Sequence, residues 1–205
     1  MVVKKRDSLA IGLTGGPGVG KSEVAKILAA NGAAIICADK IGHHLLDENK
    51  PVKRKLVKLL GDNIIAEDKP NRREIGRLVF GDSETLYSFN QIIHPPLLKI
   101  LKKELADKIR TGSNRMVAVD AALIFEWGVA EWFDLLLVIT ATREIRLKRM
   151  CDTGLSRYQA GKRIASQIPQ RDKIALADFI IENNSTRSTL KSKVKGFIRA
   201  IEEVT

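Results

Sequence analysis

The stretch from Leu9 to Ser22 constrains what this chain can fold into more than any other part of it. Leu9-Ala10-Ile11-Gly12-Leu13-Thr14 is an apolar run, and Gly15-Gly16-Pro17-Gly18-Val19-Gly20-Lys21-Ser22 is a glycine-rich loop that follows it. Val24, Ile27 and Leu28 then fall on one face of a helical pattern. Gly15, Gly20, Lys21 and Ser22 fit G-x-x-x-x-G-K-[ST], in the strand-before, helix-after setting that gives this pattern its meaning. The glycines let successive backbone N–H groups turn toward one point and form a nest for anionic oxygens. The start of the helix adds unpaired donors and the positive end of its dipole at the same place. Lys21 is placed to reach β- and γ-phosphates, and the Ser22 hydroxyl to ligate Mg²⁺. The loop therefore predicts a nucleoside triphosphate site made of Gly15, Gly16, Pro17, Gly18, Val19, Gly20, Lys21 and Ser22, with Glu23 beside it in the first helical turn.

A parallel strand is buried on both faces, and residues 8–14 read as one. Residues 21–30 make the helix that crosses over, stopped by Asn31-Gly32, and 33–37 a second short strand. Asp39 follows directly, at the carboxyl end of that strand, where open α/β sheets bind their ligands. This position makes it a candidate for chemistry and equally a candidate N-cap for a helix from Lys40. Residues 41–109 are mainly helical in pattern, too long for a simple crossover, and fit an acceptor-substrate region. Within them, Val52, Leu56, Val57, Leu59 and Leu60 form an apolar face, and His94-Pro95-Pro96 is expected to break the chain before a helix resumes at 97–109. Residues 115–119 form a third strand ending in Asp120, either a Mg²⁺ ligand or a helix cap. After a fourth strand at 133–140, a basic helix at 142–151 and a further helical pattern from Ser156 suit a lid that closes over ATP. Surface solvation accounts equally for each single arginine there. A fifth strand at 178–181 and an amphipathic helix at 188–203 complete an α/β order.

Charge and length limit the partners. The chain has 205 residues, which allows one α/β domain with inserted subregions, and carries a net charge of +11. Its lysines and arginines are spread over many segments, without an aromatic-interleaved stripe, which favours a small polyanionic substrate over nucleic acid. No run of ~18 apolar residues occurs, so no membrane span is expected. The N-terminal Met1-Val2-Val3-Lys4-Lys5-Arg6-Asp7 lacks the apolar stretch of a secretory signal. Two well-separated cysteines, Cys37 and Cys151, fit a reduced, cytoplasmic chain. His43 and His44 have no metal-spaced partners and read as surface residues.

Beyond the loop, several blocks together resemble the dephospho-coenzyme A kinase family. They are Ala38-Asp39-Lys40-Ile41, Arg77-Leu78-Val79-Phe80-Gly81-Asp82, Ile92-Ile93-His94-Pro95, Leu123-Ile124-Phe125-Glu126, Gly154-Leu155-Ser156, Arg163-Ile164-Ala165-Ser166-Gln167 and Ala177-Asp178-Phe179-Ile180-Ile181-Glu182-Asn183. The resemblance runs from about Leu9 to Val204. It implies a P-loop, monophosphate-kinase-like three-layer α/β fold: a five-stranded parallel sheet, a helical coenzyme A region and a helical lid. In this numbering the core is 1–38, 110–142 and 178–205, the coenzyme A region 39–109 and the lid 143–177, all in one kinase domain. It also implies MgATP-dependent phosphorylation of the ribose 3′-hydroxyl of dephospho-coenzyme A, the last step of coenzyme A synthesis. Asp39 takes the place of the family's catalytic base, with Lys21 as its catalytic partner. Arg77 and His94 fall in the acceptor site, although a helix-breaking structural role fits His94 as well.

Three positions depart from the family pattern. Cys37 stands where an aspartate is usual, and Ala121-Ala122 replace an apolar residue and a proline. The block 149–154 is one residue short, with Asp152 where an arginine is expected. This leaves Arg149, Arg157 and Arg163 as the candidates to clamp ATP, of which Arg149 and Arg163 are assigned to it. Another small-molecule or nucleotide kinase would share the loop, sheet and lid. A regulatory GTPase would share Asp39-Lys40-Ile41-Gly42 as D-x-x-G, but no Asn-Lys-x-Asp segment follows. A nucleic-acid ATPase has only the charge in its favour.

Overall fold

The structure is a computed structural model and describes residues 8–66 and 69–203. Its first compact unit comprises residues 1–36 and 105–205. Here β1 (Leu9–Thr14) leads through the glycine-rich loop into α1 (Lys21–Ala29), and β2 (Ala34–Cys37) follows. The second unit, residues 37–104, is helical. It holds α2 (Ala38–Glu48), α3 (Lys50–Leu60), a two-residue hairpin of β3 (Ile65–Ala66) and β4 (Lys69–Pro70), and α4 (Arg72–Val79). It also holds most of α5 (Ser83–Thr111), which runs into the first unit. The chain then adds β5 (Met116–Asp120), β6 (Leu135–Thr140), α6 (Arg143–Cys151), α7 (Arg157–Ala165), α8 (Gln170–Ala175), β7 (Phe179–Glu182) and α9 (Arg187–Glu202).

The five long strands form one parallel sheet in the order β2-β5-β1-β6-β7. Register follows from the apolar runs: Leu9 lies opposite Met116 and Leu13 opposite Asp120, while Ile11 to Thr14 lie opposite Leu135 to Val138. All five residues of β5 are buried, as a strand covered on both faces requires. One device sets two successive strands. Asp134, just before β6, accepts the Ala10 N–H at 2.8 Å and donates its own N–H to the Ala10 carbonyl at 2.9 Å. Asp178, just before β7, repeats both bonds with Leu136, at 2.7 and 3.1 Å. Leu28 of α1 and Val194 and Phe197 of α9 join Ile11, Leu13, Leu137 and Ile139 in one core, with Phe197 edge-on to Phe179 at 5.2 Å. Each such fully buried side chain contributes about 1.5–3 kcal/mol. β1 leaves toward one edge of the sheet and its neighbour β6 toward the other, so the carboxyl end of β1 lies at the reversal point where such sheets bind ligands.

One expectation for the second unit is corrected, and one alternative is settled. His94-Pro95-Pro96 does not break the chain: α5 is a single helix of 29 residues with both prolines inside it. The missing N–H groups cost about 3 kcal/mol or more at such a site. Against this, Ile93, Leu97, Leu101 and Leu105 recur at four-residue spacing across the prolines and are all at most 5% exposed. Their burial, at about 1.5–3 kcal/mol each, outweighs the local loss. Asp82 caps the start of α5 by accepting the Thr85 N–H at 2.7 Å. The alternative concerns Asp39, which could have capped the following helix. Helix α2 starts at Ala38 with Cys37 as N-cap, so Asp39 is exposed in the first turn and does not cap it. A carboxylate there still meets the positive end of the helix dipole.

Candidate active site

The phosphate loop is held from the side of its carbonyls. Arg146 and Arg149 stand one turn apart on α6, and both reach the loop. The Arg146 Nε donates to the Pro17 carbonyl at 2.9 Å. Nη1 of Arg149 donates to the carbonyls of Gly18 and Val19 at 3.3 and 3.2 Å, while its Nη2 donates to the Asn183 carbonyl at 3.0 Å. Asn183, just past β7, donates its Nδ2–H to the Val19 carbonyl at 2.8 Å. Peptides here are trans, so each held carbonyl turns the next residue's N–H the opposite way. Fixing the oxygens of Pro17, Gly18 and Val19 thereby aims the amides of Gly18, Val19 and Gly20 away from α6, the arrangement an anion nest requires.

Two glycines are demanded by this packing. Gly20 is the N-cap of α1 with φ 95°, a conformation that side-chain-bearing residues avoid. At Gly16 a Cβ would overlap the guanidinium of Arg146. Arg146 is itself only 7% exposed, and burial, followed by the nearby Arg143, pushes its pKa below the usual arginine value. Lys21, half-buried in the first turn of α1, donates from Nζ to the Gly15 carbonyl at 2.9 Å and so lies over the loop. Ser22 is exposed beside it. Asp120 ends β5 at 8% exposure, in register with Leu13 of the strand that enters the loop. The carboxylate of Glu23 is bonded to Arg187 at 2.6 Å on the opposite flank of α1.

Within the first unit, then, the structure brings Lys21, Ser22, the loop and Arg149 together, with Asp120 on the adjacent strand. Arg163 lies half-buried on α7, and burial depresses its pKa. Exposed Arg157 opens the same helix, which Ser156 and Gln159 start with a capping box. The remaining three candidates belong to the second unit and sit on three different helices. Asp39 is in the first turn of α2. Arg77, on α4, forks onto Glu74 at 2.6 and 2.8 Å; this pairing lowers the Glu74 pKa and raises that of Arg77. His94 is half-buried in α5, and burial lowers its pKa. Among the described residues no group of three or more His, Cys, Asp or Glu side chains can hold a metal. No described helix is long and apolar enough to cross a membrane.

Reading the sequence missed Arg146 and Asn183 as supports of the loop. Their only signal was membership of a basic cluster and of the 177–183 block, neither of which states a contact.

The dephospho-CoA kinase family model matches residues 9–189. A dephospho-CoA kinase of Chlamydia muridarum is 34% identical over 96% of this chain and 98% of its own length. One from Carboxydothermus hydrogenoformans is 37% identical over 90% of each chain. The solved dephospho-CoA kinase from Campylobacter jejuni superposes with a TM-score of 0.63 at 26% identity, covering 95% of this chain and 98% of that one. A braced phosphate loop at the reversal point of a five-stranded parallel sheet, matched along nearly the whole chain, places this protein in the dephospho-CoA kinase family.

Proposed function

We propose that the protein transfers the γ-phosphoryl group of ATP to the ribose 3′-hydroxyl of dephospho-coenzyme A, giving coenzyme A and ADP. The observation that carries this reading is the match to the dephospho-CoA kinase family over residues 9–189; the phosphate loop, with its carbonyls held by Arg146, Arg149 and Asn183 and Lys21 lying across it, supports the triphosphate side. Phosphoryl transfer depends on positioning and on charge stabilisation more than on covalent chemistry, and this loop supplies both. Its preset amides need no reorganisation when the phosphates bind. Lys21 exchanges the Gly15 carbonyl for phosphate oxygens and neutralises charge that builds up on the transferring group. Asp39 accepts the proton of the acceptor hydroxyl, a task its exposed carboxylate is free of capping duty to perform. Arg77 and His94 belong to the acceptor side, within a coenzyme A region spanning 39–109. Residues 143–177 act as the lid, with Arg163 meeting the nucleotide and Arg149 joining the loop to it. The core is then 1–38, 110–142 and 178–205.

Mg²⁺ fits the donors present. It is usually held by one or two carboxylates plus substrate phosphates, without a dedicated protein cage, and Asp120 with the Ser22 hydroxyl is such a set. When bound, the ion would supply positive charge against the phosphate oxygens. The reading places the enzyme in the cytoplasm, acting on a small molecule and not on nucleic acid. It is tested by measuring ADP formation with dephospho-coenzyme A, shikimate, nucleoside monophosphates and oligonucleotides in parallel. Turnover that depends on dephospho-coenzyme A is expected. Comparable turnover with any of the others, or none with dephospho-coenzyme A, overturns it.

A further inference from the structure

Lys173 on α8 carries the most deeply buried charge among the described residues, at 1% exposure. An ammonium has three donors, and all three are used. Nζ donates to the Ala122 carbonyl at 2.7 Å, to Glu126 Oε2 at 3.3 Å, with Oε1 of the same carboxylate 2.9 Å away, and to the Gln167 Oε1 at 3.2 Å. Two of these acceptors hold a second donor or lie next to one. The Ala122 carbonyl also accepts the hydroxyl of Thr14 at 3.3 Å, and Thr14 is the residue that enters the phosphate loop. Glu126 Oε1 also accepts the N–H of Ile168 at 3.1 Å, next to Gln167. One ammonium therefore joins three pieces of the first unit: the end of β1, the chain that leaves Asp120, and the chain that returns from α7. Glu126 and Gln167 come from two separate family-like blocks, and the phosphoryl transfer as read above gives neither residue a role.

A buried ion pair brings little or no net stability compared with well-packed apolar residues. Burial pushes the Lys173 pKa down, Glu126 pushes it up and Arg146 pushes it down again, so the charge is maintained at a cost. The return for that cost is geometry. We propose that Lys173 is a positioning residue for the phosphoryl transfer: it sets the α7 return, and with it Arg163, in register with Asp120 and the mouth of the phosphate loop. This rests on the kinase reading above. Lys173 need touch neither ATP nor the acceptor; it acts through the Ala122 carbonyl, Glu126 and Gln167.

The test uses Lys173→Met, which keeps length and removes charge, and the double variant Lys173→Met/Glu126→Gln. The single variant takes the cation away from the Glu126 carboxylate, whose side chain is 18% exposed, and is expected to lower the melting temperature. The double variant removes both charges and is expected to melt close to wild type. If the role is positioning, the folded double variant still turns over about 10²-fold more slowly, the scale of loss for a small misplacement away from the chemistry. Its ATP affinity by titration calorimetry falls about tenfold, and amide exchange quickens at 121–127 and 166–172. A folded double variant with wild-type ATP affinity and turnover overturns the proposal. ATP affinity is read without any acceptor. If wild type fails to phosphorylate dephospho-coenzyme A while the double variant still loses ATP affinity, the acceptor reading falls and the positioning role stands.

Discussion

The phosphate loop and the second unit's acceptor-side residues are held in opposite ways. Around the loop, partners come from far along the chain: Pro17 from Arg146, Gly18 from Arg149 and Val19 from Asn183, across 129, 131 and 164 residues. The guanidinium of Arg146 and the amide of Asn183 are buried, so the loop cannot relax without stranding polar groups away from water. In the second unit, Asp39 is exposed in a helical first turn, and the recorded partner of Arg77 is Glu74, one turn away on the same helix. Exposed pairs of that kind contribute little to stability. The contrast teaches that the shape of the phosphate loop is built into the fold, whereas exposed Asp39 and Arg77, proposed for the acceptor side, can be altered without disturbing it. Substitutions in the two regions should therefore separate turnover from stability differently.

The largest expected effect is at Asp39. Asp39→Asn should lower turnover with dephospho-coenzyme A by about 10²–10⁴-fold while ATP affinity and melting temperature stay at wild-type values. Turnover, calorimetric ATP titration and thermal melting on one preparation check this; a collapse in melting temperature would break the contrast on its acceptor side. Lys21→Ala should cost about 10²–10³-fold in turnover with little change in melting, because the loop's carbonyls at Pro17, Gly18 and Val19 are held by Arg146, Arg149 and Asn183 and not by Lys21. Steady-state kinetics with saturating MgATP reads this out, and near-wild-type turnover would remove Lys21 from the chemistry.

Arg149→Ala sharpens the comparison, because it should move both quantities. The loss strands the carbonyls of Gly18 and Asn183 and leaves that of Val19 with Asn183 Nδ2 as donor, so stability should fall by about 1–3 kcal/mol and ATP affinity should fall with it. Arg199→Ala, on the exposed face of α9, should change neither. Denaturant unfolding beside nucleotide titration distinguishes the two; equal effects would mean that general surface charge is at work.

The smallest effect is a pH dependence within the second unit. Burial lowers the His94 pKa, so the folded state binds fewer protons than the unfolded state near the ordinary value of 6.5. Stability therefore rises with pH there. It is fully present above 6.5, and it declines as pH falls from that value through the lower pKa of the folded protein. His94→Asn should flatten this decline, measured as melting temperature between pH 5 and pH 7.5, roughly the window over which histidine changes charge.

What could be read directly along the chain was local. The apolar runs of β1, β5 and β6, the glycine-rich loop and the Asn31-Gly32 stop all act through neighbours a few residues apart, and the structure keeps them. The break expected at Pro95-Pro96 failed because a local penalty was weighed without the four buried residues that flank it on one helical face. The cap that stood as the alternative reading of Asp39 is not formed, because Cys37 takes that position as the end of β2 turns into α2, and no capping side chain marks the start of this helix.

The sequence by itself determined that a phosphate loop follows a buried strand, because backbone freedom at glycine and the charge of Lys21 are properties of the residues themselves. It also determined the α/β order, since burial periodicity is written along the chain. Only the tertiary structure decided which carbonyls of the loop are held outward, that Arg146 and Arg149 hold them, and that Lys173 gathers Ala122, Glu126 and Gln167 around one ammonium. Those contacts join residues from about 50 to about 130 positions apart, apart from the six-residue step to Gln167. Their partners are chosen by the strand order of the sheet, and no pattern of neighbouring residues encodes that order.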